Sequence, residues 1–119
     1  MHLVGSVTDC DCIIVDDMID TAGTLVQAAV ELKKQGAKRV FAYATHGLFN
    51  GPAIQRIQNS PLEEVVVTNS IALGEKVQTG NESKITVLDV SILLADAIRR
   101  IHLKESLFDL FGNENSKSS

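Results

Sequence analysis

The sequence predicts an α/β fold in which a mostly parallel sheet lies between two layers of helices. Segments typical of strands alternate with segments typical of helices, in the order β-α-β-α-β-turn-β-α. Residues 12–15 form a β-branched apolar run without polar alternation, as expected for a strand covered on both faces of the sheet. The chain has 119 residues and 45% hydrophobic content, which is enough for one core.

The first half of the chain carries clear helix and strand signals. A helix is predicted over residues 24–35, because apolar residues recur on one face, two lysines occupy the last turn and Gly36 follows it. A second strand is predicted over residues 39–45. Pro52 is expected at the first position of a short helix, which ends before the next proline.

The second half contains two more strand candidates and one long helix. The strands are predicted over residues 65–68 and 85–88, and the polar segment 75–84 between them contains a Gly-Asn turn. Ser91 is expected to cap the last helix, which has an apolar face and basic residues in its final turn. We assign residues 1–111 to a single domain and expect residues 112–119 to form a disordered tail.

Composition excludes several classes of function. The net charge of −4 and the scattered basic residues argue against nucleic acid as a partner. No apolar run has the length of a membrane span, and the N-terminus lacks the features of a signal peptide, so we expect a cytoplasmic protein without a membrane partner. Cys10 and Cys12 are too close for a comfortable disulfide, and we interpret both as reduced strand residues.

Residues 16–24 hold the densest group of polar side chains in the sequence. Three carboxylates and two hydroxyls occur within nine residues, between the first strand and the first helix. Asp16 and Asp17 are expected to end the strand. A purely structural interpretation is available, because acids complement a helix N-terminus and Asp20 or Thr21 could be the N-cap. That interpretation does not explain two adjacent acids directly after a buried strand.

The functional interpretation divides these residues into two parts. Small residues and backbone N–H groups at a helix N-terminus can hold a phosphate monoester, and this part comprises Asp20, Thr21, Ala22, Gly23 and Thr24. Asp16 and Asp17 can accept hydrogen bonds from vicinal hydroxyls or hold Mg²⁺. A phosphate site beside a diol site indicates a pentose 5-phosphate.

The pattern Asp-Asp-x-x-Asp-Thr-(Ala/Gly)-Gly-Thr after an apolar strand resembles the ribose-phosphate loop of the type I phosphoribosyltransferase superfamily. Residues 36–54, 64–71, 94–102 and 105–111 further resemble the C-terminal domain of the ribose-phosphate pyrophosphokinases, also called phosphoribosyl pyrophosphate synthetases. The resemblance runs from about Leu3 to Phe111. It implies a type I phosphoribosyltransferase-like domain.

The resemblance also implies an activity and a set of binding residues. Members of the family transfer the diphosphoryl group of ATP to the C1 hydroxyl of ribose 5-phosphate with Mg²⁺, and the product, phosphoribosyl pyrophosphate, serves nucleotide biosynthesis. By position, Asp16 and Asp17 would hold the ribose hydroxyls, with a possible Mg²⁺ contact through the substrate. Residues 20–24 would surround the 5-phosphate.

Family proteins consist of two tandem domains, and the N-terminal domain supplies most of the ATP site, a metal-binding His and a basic flexible loop. We expect that this chain lacks those parts, holds no catalytic residue and takes ATP only with the missing domain. Diphosphoryl transfer needs cations, and no Lys or Arg precedes Thr24. Alone, the chain should bind ribose 5-phosphate weakly without making the product. The resemblance also implies a homo-oligomer, with Ser106 and Phe111 at an allosteric site.

Three other classes of protein are alternatives to this interpretation. A non-catalytic, synthetase-associated regulatory module would keep the same fold and sugar site. A nucleobase phosphoribosyltransferase would need a hood segment, which the sequence does not contain, and a receiver domain would have a lone Asp where Thr68-Asn69 stands. His46 follows the second predicted strand, and we interpret it as a turn residue with a hydrogen-bonded imidazole.

Overall fold

The computed structural model describes residues 5–74, 77 and 83–111, without the side chain of Phe111. The chain divides after Leu88 into two compact units. The helices and strands of the first unit are, in chain order, β1 (Asp11–Ile19), α1 (Gly23–Lys34), β2 (Arg39–Gly47), α2 (Ala53–Gln58), β3 (Leu62–Thr68) and β4 (Ile85–Leu88). The predicted Gly-Asn turn and the predicted tail 112–119 lie outside the described residues.

The strands form one parallel sheet in the order β1-β2-β3-β4. This arrangement confirms the predicted α/β class and the parallel sheet. Since the spatial order follows the chain order, right-handed crossovers would place α1 and α2 on the same face. The burial pattern agrees, because alternate residues of β2, namely Val40, Ala42 and Ala44, belong to the same buried cluster as the apolar residues of both helices.

The opposite face of the sheet is not covered by α1 or α2. Ile13 is 56% exposed and Val15 is 77% exposed, whereas their neighbours Cys12 and Ile14 pack against the core. The prediction that residues 12–15 are covered on both faces is therefore wrong for this unit. The apolar run predicts cover on both faces, but α1 and α2 both contribute to one buried cluster on a single face.

The polar residues do not end the first strand where the sequence predicted. β1 continues through Asp16 and Asp17, and its pairing with β2 runs on to Ile19 opposite Gly47. Acidic side chains are compatible with an exposed strand end, because only the backbone takes part in the sheet hydrogen bonds. The predicted helix starts shift by one residue each: α1 begins at Gly23, and Pro52 occupies the N-cap position before α2.

The second unit contains α3 (Ser91–His102) and α4 (Phe108–Phe111). Ser91 is the first helical residue and not the cap, and its N–H donates to the Asp89 carboxylate over 2.8 Å. Asp96 forms ion pairs with Arg99 and Arg100, and hydrogen bonds from these two guanidinium groups hold the pKa of Asp96 below its usual range.

The helices of the second unit expose many of their apolar side chains. No residue of α3 is buried, and Phe108 in α4 is 73% exposed. Throughout the described part of the chain, the helices are all too short or too polar for a membrane span.

Candidate functional site

The sequence-predicted site residues lie at the carboxyl end of β1 and in the turn that leads into α1. A cleft of about 150 Å³ opens there. Its lining includes the predicted site residues Asp16, Asp20, Thr21, Ala22 and Thr24. Asp17 and Gly23 are not part of this lining. The structure thus brings most of the predicted residues together around one small cleft.

The turn changes direction at Ala22, which has φ 65° and ψ 13° and is buried. This left-handed conformation is unusual for a residue with a Cβ atom. The glycine of the motif, Gly23, does not occupy this position, because it is the first residue of α1. The helix also has no side-chain cap, so the purely structural interpretation, in which Asp20 or Thr21 is the N-cap, is wrong.

Residues 48–56 anchor three successive carbonyl groups of the turn. The carbonyl of Ile19 accepts hydrogen bonds from the N–H groups of Leu48 and Phe49, at 2.8 and 3.3 Å. The carbonyl of Asp20 accepts a bond of 3.0 Å from the N–H of Asn50. The carbonyl of Thr21 accepts a bond of 3.2 Å from Nη1 of Arg56. All three carbonyl groups are therefore directed toward one segment of the chain.

This anchoring determines where the neighbouring N–H groups point. In a planar trans peptide, the N–H of residue i+1 is directed opposite to the carbonyl of residue i. The N–H groups of Asp20, Thr21 and Ala22 are thus directed away from residues 48–56. The first helical hydrogen bond runs from the N–H of Val26 to the carbonyl of Ala22. The N–H groups at the start of α1 therefore continue the row formed by those of Asp20, Thr21 and Ala22. Successive N–H groups at a helix N-terminus form an anion-binding arrangement.

Two side chains in this arrangement were missed by sequence reasoning. The side-chain amide of Asn50 donates a hydrogen bond of 2.8 Å to the carboxylate of Asp20, and Arg56 reaches Thr21 from α2. Both belong to a segment that the sequence indicated only as a loop and a short helix. No local pattern marks them, because their partners lie 30 and 35 residues earlier in the chain.

Asp16 and Asp17 are adjacent acids near the carboxyl end of β1. An oxygen of Asp16 accepts from the N–H of Asp17, and an oxygen of Asp17 accepts from the N–H of Met18, both at 2.8 Å. The hydrogen bond with the Asp16 carboxyl holds the pKa of Asp17 below its usual range, and the N–H of Met18 and the charge of His46 act in the same direction. Asp17 is therefore an ionised hydrogen-bond acceptor.

His46 lies inside β2 and not in a turn, which corrects part of its predicted role. Its Nδ1 lies 2.7 Å from Oγ of Ser70, so the expectation of a hydrogen-bonded imidazole is confirmed. Oγ of Ser70 also donates to the carbonyl of Thr45 over 3.1 Å. Since the hydroxyl hydrogen is used there, Ser70 accepts from Nδ1–H of His46.

The side chains available as ligands limit the kind of metal ion that the site could hold. Among the residues that the structure describes, no group of three or more His, Cys, Asp and Glu could hold a metal ion. Two adjacent carboxylates do fit Mg²⁺, because this ion commonly binds one or two carboxylates and completes its shell with water and substrate oxygens. Asp16 and Asp17 are compatible with that mode only.

The predicted allosteric residues lie in the second unit. Oγ of Ser106 accepts a hydrogen bond of 3.1 Å from the N–H of Phe108, and its carbonyl accepts one of 3.0 Å from Arg100. The Ser106 hydroxyl is thus used inside a local turn. The side chain of Phe111 lies outside the described part, so the regulatory assignment stays a prediction.

Comparison with known proteins agrees with the resemblance seen in the sequence. A family model described as "Phosphoribosyl synthetase-associated domain" matches residues 1–112. The ribose-phosphate pyrophosphokinase of Haemophilus ducreyi is 55% identical over 111 residues, which cover 93% of this chain and 34% of that protein. The Vibrio parahaemolyticus protein of the same name is 55% identical over 112 residues, with 93% and 35% covered.

A solved structure is also similar. The crystal structure of phosphoribosylpyrophosphate synthetase from Mycobacterium smegmatis matches with a TM-score of 0.78 and 40% identity. The match covers 85% of this chain and 33% of that one. The chain therefore spans about a third of the length of the relatives it matches.

Proposed function

This chain belongs to the phosphoribosyl synthetase-associated domain family, and we propose that it supplies the ribose 5-phosphate site of a ribose-phosphate pyrophosphokinase. One observation carries the proposal: the turn between β1 and α1 directs its N–H groups away from residues 48–56, beside the carboxyl pair of Asp16 and Asp17. An anion-binding turn next to paired acceptors matches a phosphate and a diol on one small molecule.

Each part of the site has its own role in this proposal. The N–H groups of residues 20–24 and the hydroxyls of Thr21 and Thr24 bind the 5-phosphate. Asp16 and Asp17 accept hydrogen bonds from the ribose hydroxyls, which orients the sugar ring. Mg²⁺ bound to substrate oxygens, and through them to this pair, would neutralise phosphate charge.

The reaction proposed for the complete protein transfers the diphosphoryl group of ATP to the C1 hydroxyl of ribose 5-phosphate, which forms phosphoribosyl pyrophosphate. This chain would hold the acceptor sugar, whereas the ATP site and the cations that stabilise the transferred group belong to the remainder of a longer protein. No Lys or Arg precedes Thr24, which supports this division. The chain then corresponds to the C-terminal domain and to the type I phosphoribosyltransferase superfamily.

Assembly and location form part of the same proposal. We place the protein in a homo-oligomer, because the sheet face with Ile13 and Val15 carries exposed apolar side chains that favour association. Cys10 and Cys12 are free thiols, which agrees with the reducing environment of the cytoplasm.

Calorimetric titration of the purified chain tests the proposal. Ribose 5-phosphate should bind, with and without Mg²⁺, whereas ribose and inorganic phosphate should each bind more weakly, because each engages one half of the site. ATP should not bind. Absence of ribose 5-phosphate binding would contradict the proposed site, and Mg²⁺-dependent ATP consumption by this chain would contradict the proposed division of the active site.

A non-catalytic binding module is the second candidate. The lack of basic residues around Asp16 and Asp17 in the sequence favours it, because such a module needs the sugar site but no diphosphoryl transfer. Adding this chain to an active synthetase separates the two: a module should change the activity of the synthetase, whereas a detached part of the enzyme should have no effect.

A further inference from the structure

Arg56 lies on α2 and reaches the turn to which the proposed function assigns the 5-phosphate. Its Nη1 donates a hydrogen bond of 3.2 Å to the carbonyl of Thr21. The same atom lies 3.2 Å from the place that a Cβ atom on residue 23 would occupy, so a side chain at Gly23 would crowd the guanidinium group. The first residue of α1 therefore has a guanidinium group directly against its backbone.

The turn needs a positive charge that its own sequence does not contain. Three carboxylates lie in residues 16–20, and no Lys or Arg occurs in residues 1–24. A phosphate monoester would be repelled by these carboxylates. The helix N-terminus offsets this repulsion by only about half an elementary charge. Arg56 adds a full positive charge beside the turn, where its guanidinium group also holds the Thr21 carbonyl.

This inference rests on the function proposed above: we propose that Arg56 is a positioning residue for the 5-phosphate and acts on the site in two ways. Its guanidinium group supplies the charge that offsets the acids of the turn. Its hydrogen bond to Thr21 holds the peptide between Thr21 and Ala22 so that the N–H of Ala22 faces the phosphate. The segment 48–56 thus completes a site whose recognisable motif lies entirely in residues 16–24.

Four proteins test the inference by calorimetric titration with ribose 5-phosphate: the wild type, Arg56→Gln, Arg56→Lys and Arg39→Gln. Gln keeps a hydrogen-bond donor but removes the charge, and Lys keeps the charge. Arg39 is the matched control, because it pairs with Asp11 at the start of β1, at the other end of the strand from the turn. Each variant is also melted thermally, and each titration is repeated at higher ionic strength.

We expect Arg56→Gln to weaken binding about tenfold, because the turn loses both a nearby positive charge and the charge-assisted hydrogen bond that holds Thr21. Arg56→Lys should recover most of that loss, and Arg39→Gln should bind like the wild type. Added salt should weaken wild-type binding more than binding by Arg56→Gln. Melting temperatures should stay close to that of the wild type, because Arg56 is exposed.

Two results would overturn this inference and leave the proposed function intact. The first is wild-type affinity in Arg56→Gln. The second is equal weakening in Arg56→Gln and Arg56→Lys with a clear drop in both melting temperatures, which would mean that Arg56 only supports the fold. If the wild type itself fails to bind ribose 5-phosphate, the proposed function fails and this inference fails with it.

Discussion

Asn50 holds Asp20 through two hydrogen bonds, one from its side-chain amide to the carboxylate at 2.8 Å and one from its backbone N–H to the carbonyl at 3.0 Å. The two residues lie 30 positions apart in the sequence. This double contact joins the segment after β2 to the turn after β1. The orientation of the candidate phosphate site therefore depends on a neighbouring connection of the sheet.

Asn50→Ala tests that dependence. The variant should bind ribose 5-phosphate several-fold more weakly, because the Asp20 carboxylate loses its donor and can turn toward the phosphate. Both residues are exposed, so the free energy of unfolding should fall by no more than about 1 kcal/mol. Titration and chemical denaturation measure the two effects. Unchanged affinity would show that the contact does not orient the site.

Asp17→Asn tests the diol half of the site. The side chain is exposed, and its lowered pKa makes it an ionised acceptor, so the amide should weaken ribose 5-phosphate binding with little change in melting temperature. Asp9→Asn is a suitable control, because Asp9 is an exposed acid that precedes β1. A large loss of thermal stability with unchanged affinity would assign Asp17 a structural role instead.

The left-handed conformation of Ala22 predicts opposite outcomes for two substitutions. Ala22→Gly should fold and bind like the wild type, because glycine adopts positive φ freely and the gain offsets the lost buried methyl, each effect being about 1 kcal/mol. Ala22→Val should lose about 2 kcal/mol or more and bind poorly, because a β-branched residue is strained there and the position is buried. Equal behaviour of the two variants would contradict the positive φ.

Gly47 is the last residue of β2 and directly precedes residues 48–56, which hold the turn. It has no room for a side chain. A Cβ atom there would lie 2.5 Å from Cε2 of Phe49 and 3.1 Å from Cγ2 of Val67. Gly47→Ala should therefore destabilise the fold by about 1–3 kcal/mol. Gly74→Ala is the control, because no atom lies within 4 Å of its added Cβ. Similar unfolding curves for the two variants would disprove the crowding.

The ion pair of Asp11 and Arg39 predicts how stability depends on pH. The hydrogen bond from Arg39 holds the pKa of Asp11 below its ordinary value. A carboxyl group with a lowered pKa in the folded state contributes stability above its unfolded pKa and loses it as the pH falls through the folded pKa. The melting temperatures of the wild type and Asp11→Asn should therefore converge at acid pH. A constant difference across the titration would rule out this linkage.

The sequence by itself determined the class of the fold and indicated where the candidate site lies. Apolar runs and helix signals predicted alternating strands and helices, and the motif in residues 16–24 predicted a ribose-phosphate turn after the first strand. These predictions depend on residues that are close together in the chain. Local spacing is sufficient for them, because helix and strand periodicity extends over only a few residues.

Only the tertiary structure decided how far β1 extends, which face of the sheet is covered and what holds the turn. Asp16 and Asp17 belong to β1 because β2 pairs with it up to Ile19, and pairing involves a different part of the chain. Asn50 and Arg56 act on the turn from 30 and 35 residues away. No local pattern encodes such contacts, because they arise only when parallel strands bring the connections at their carboxyl ends together.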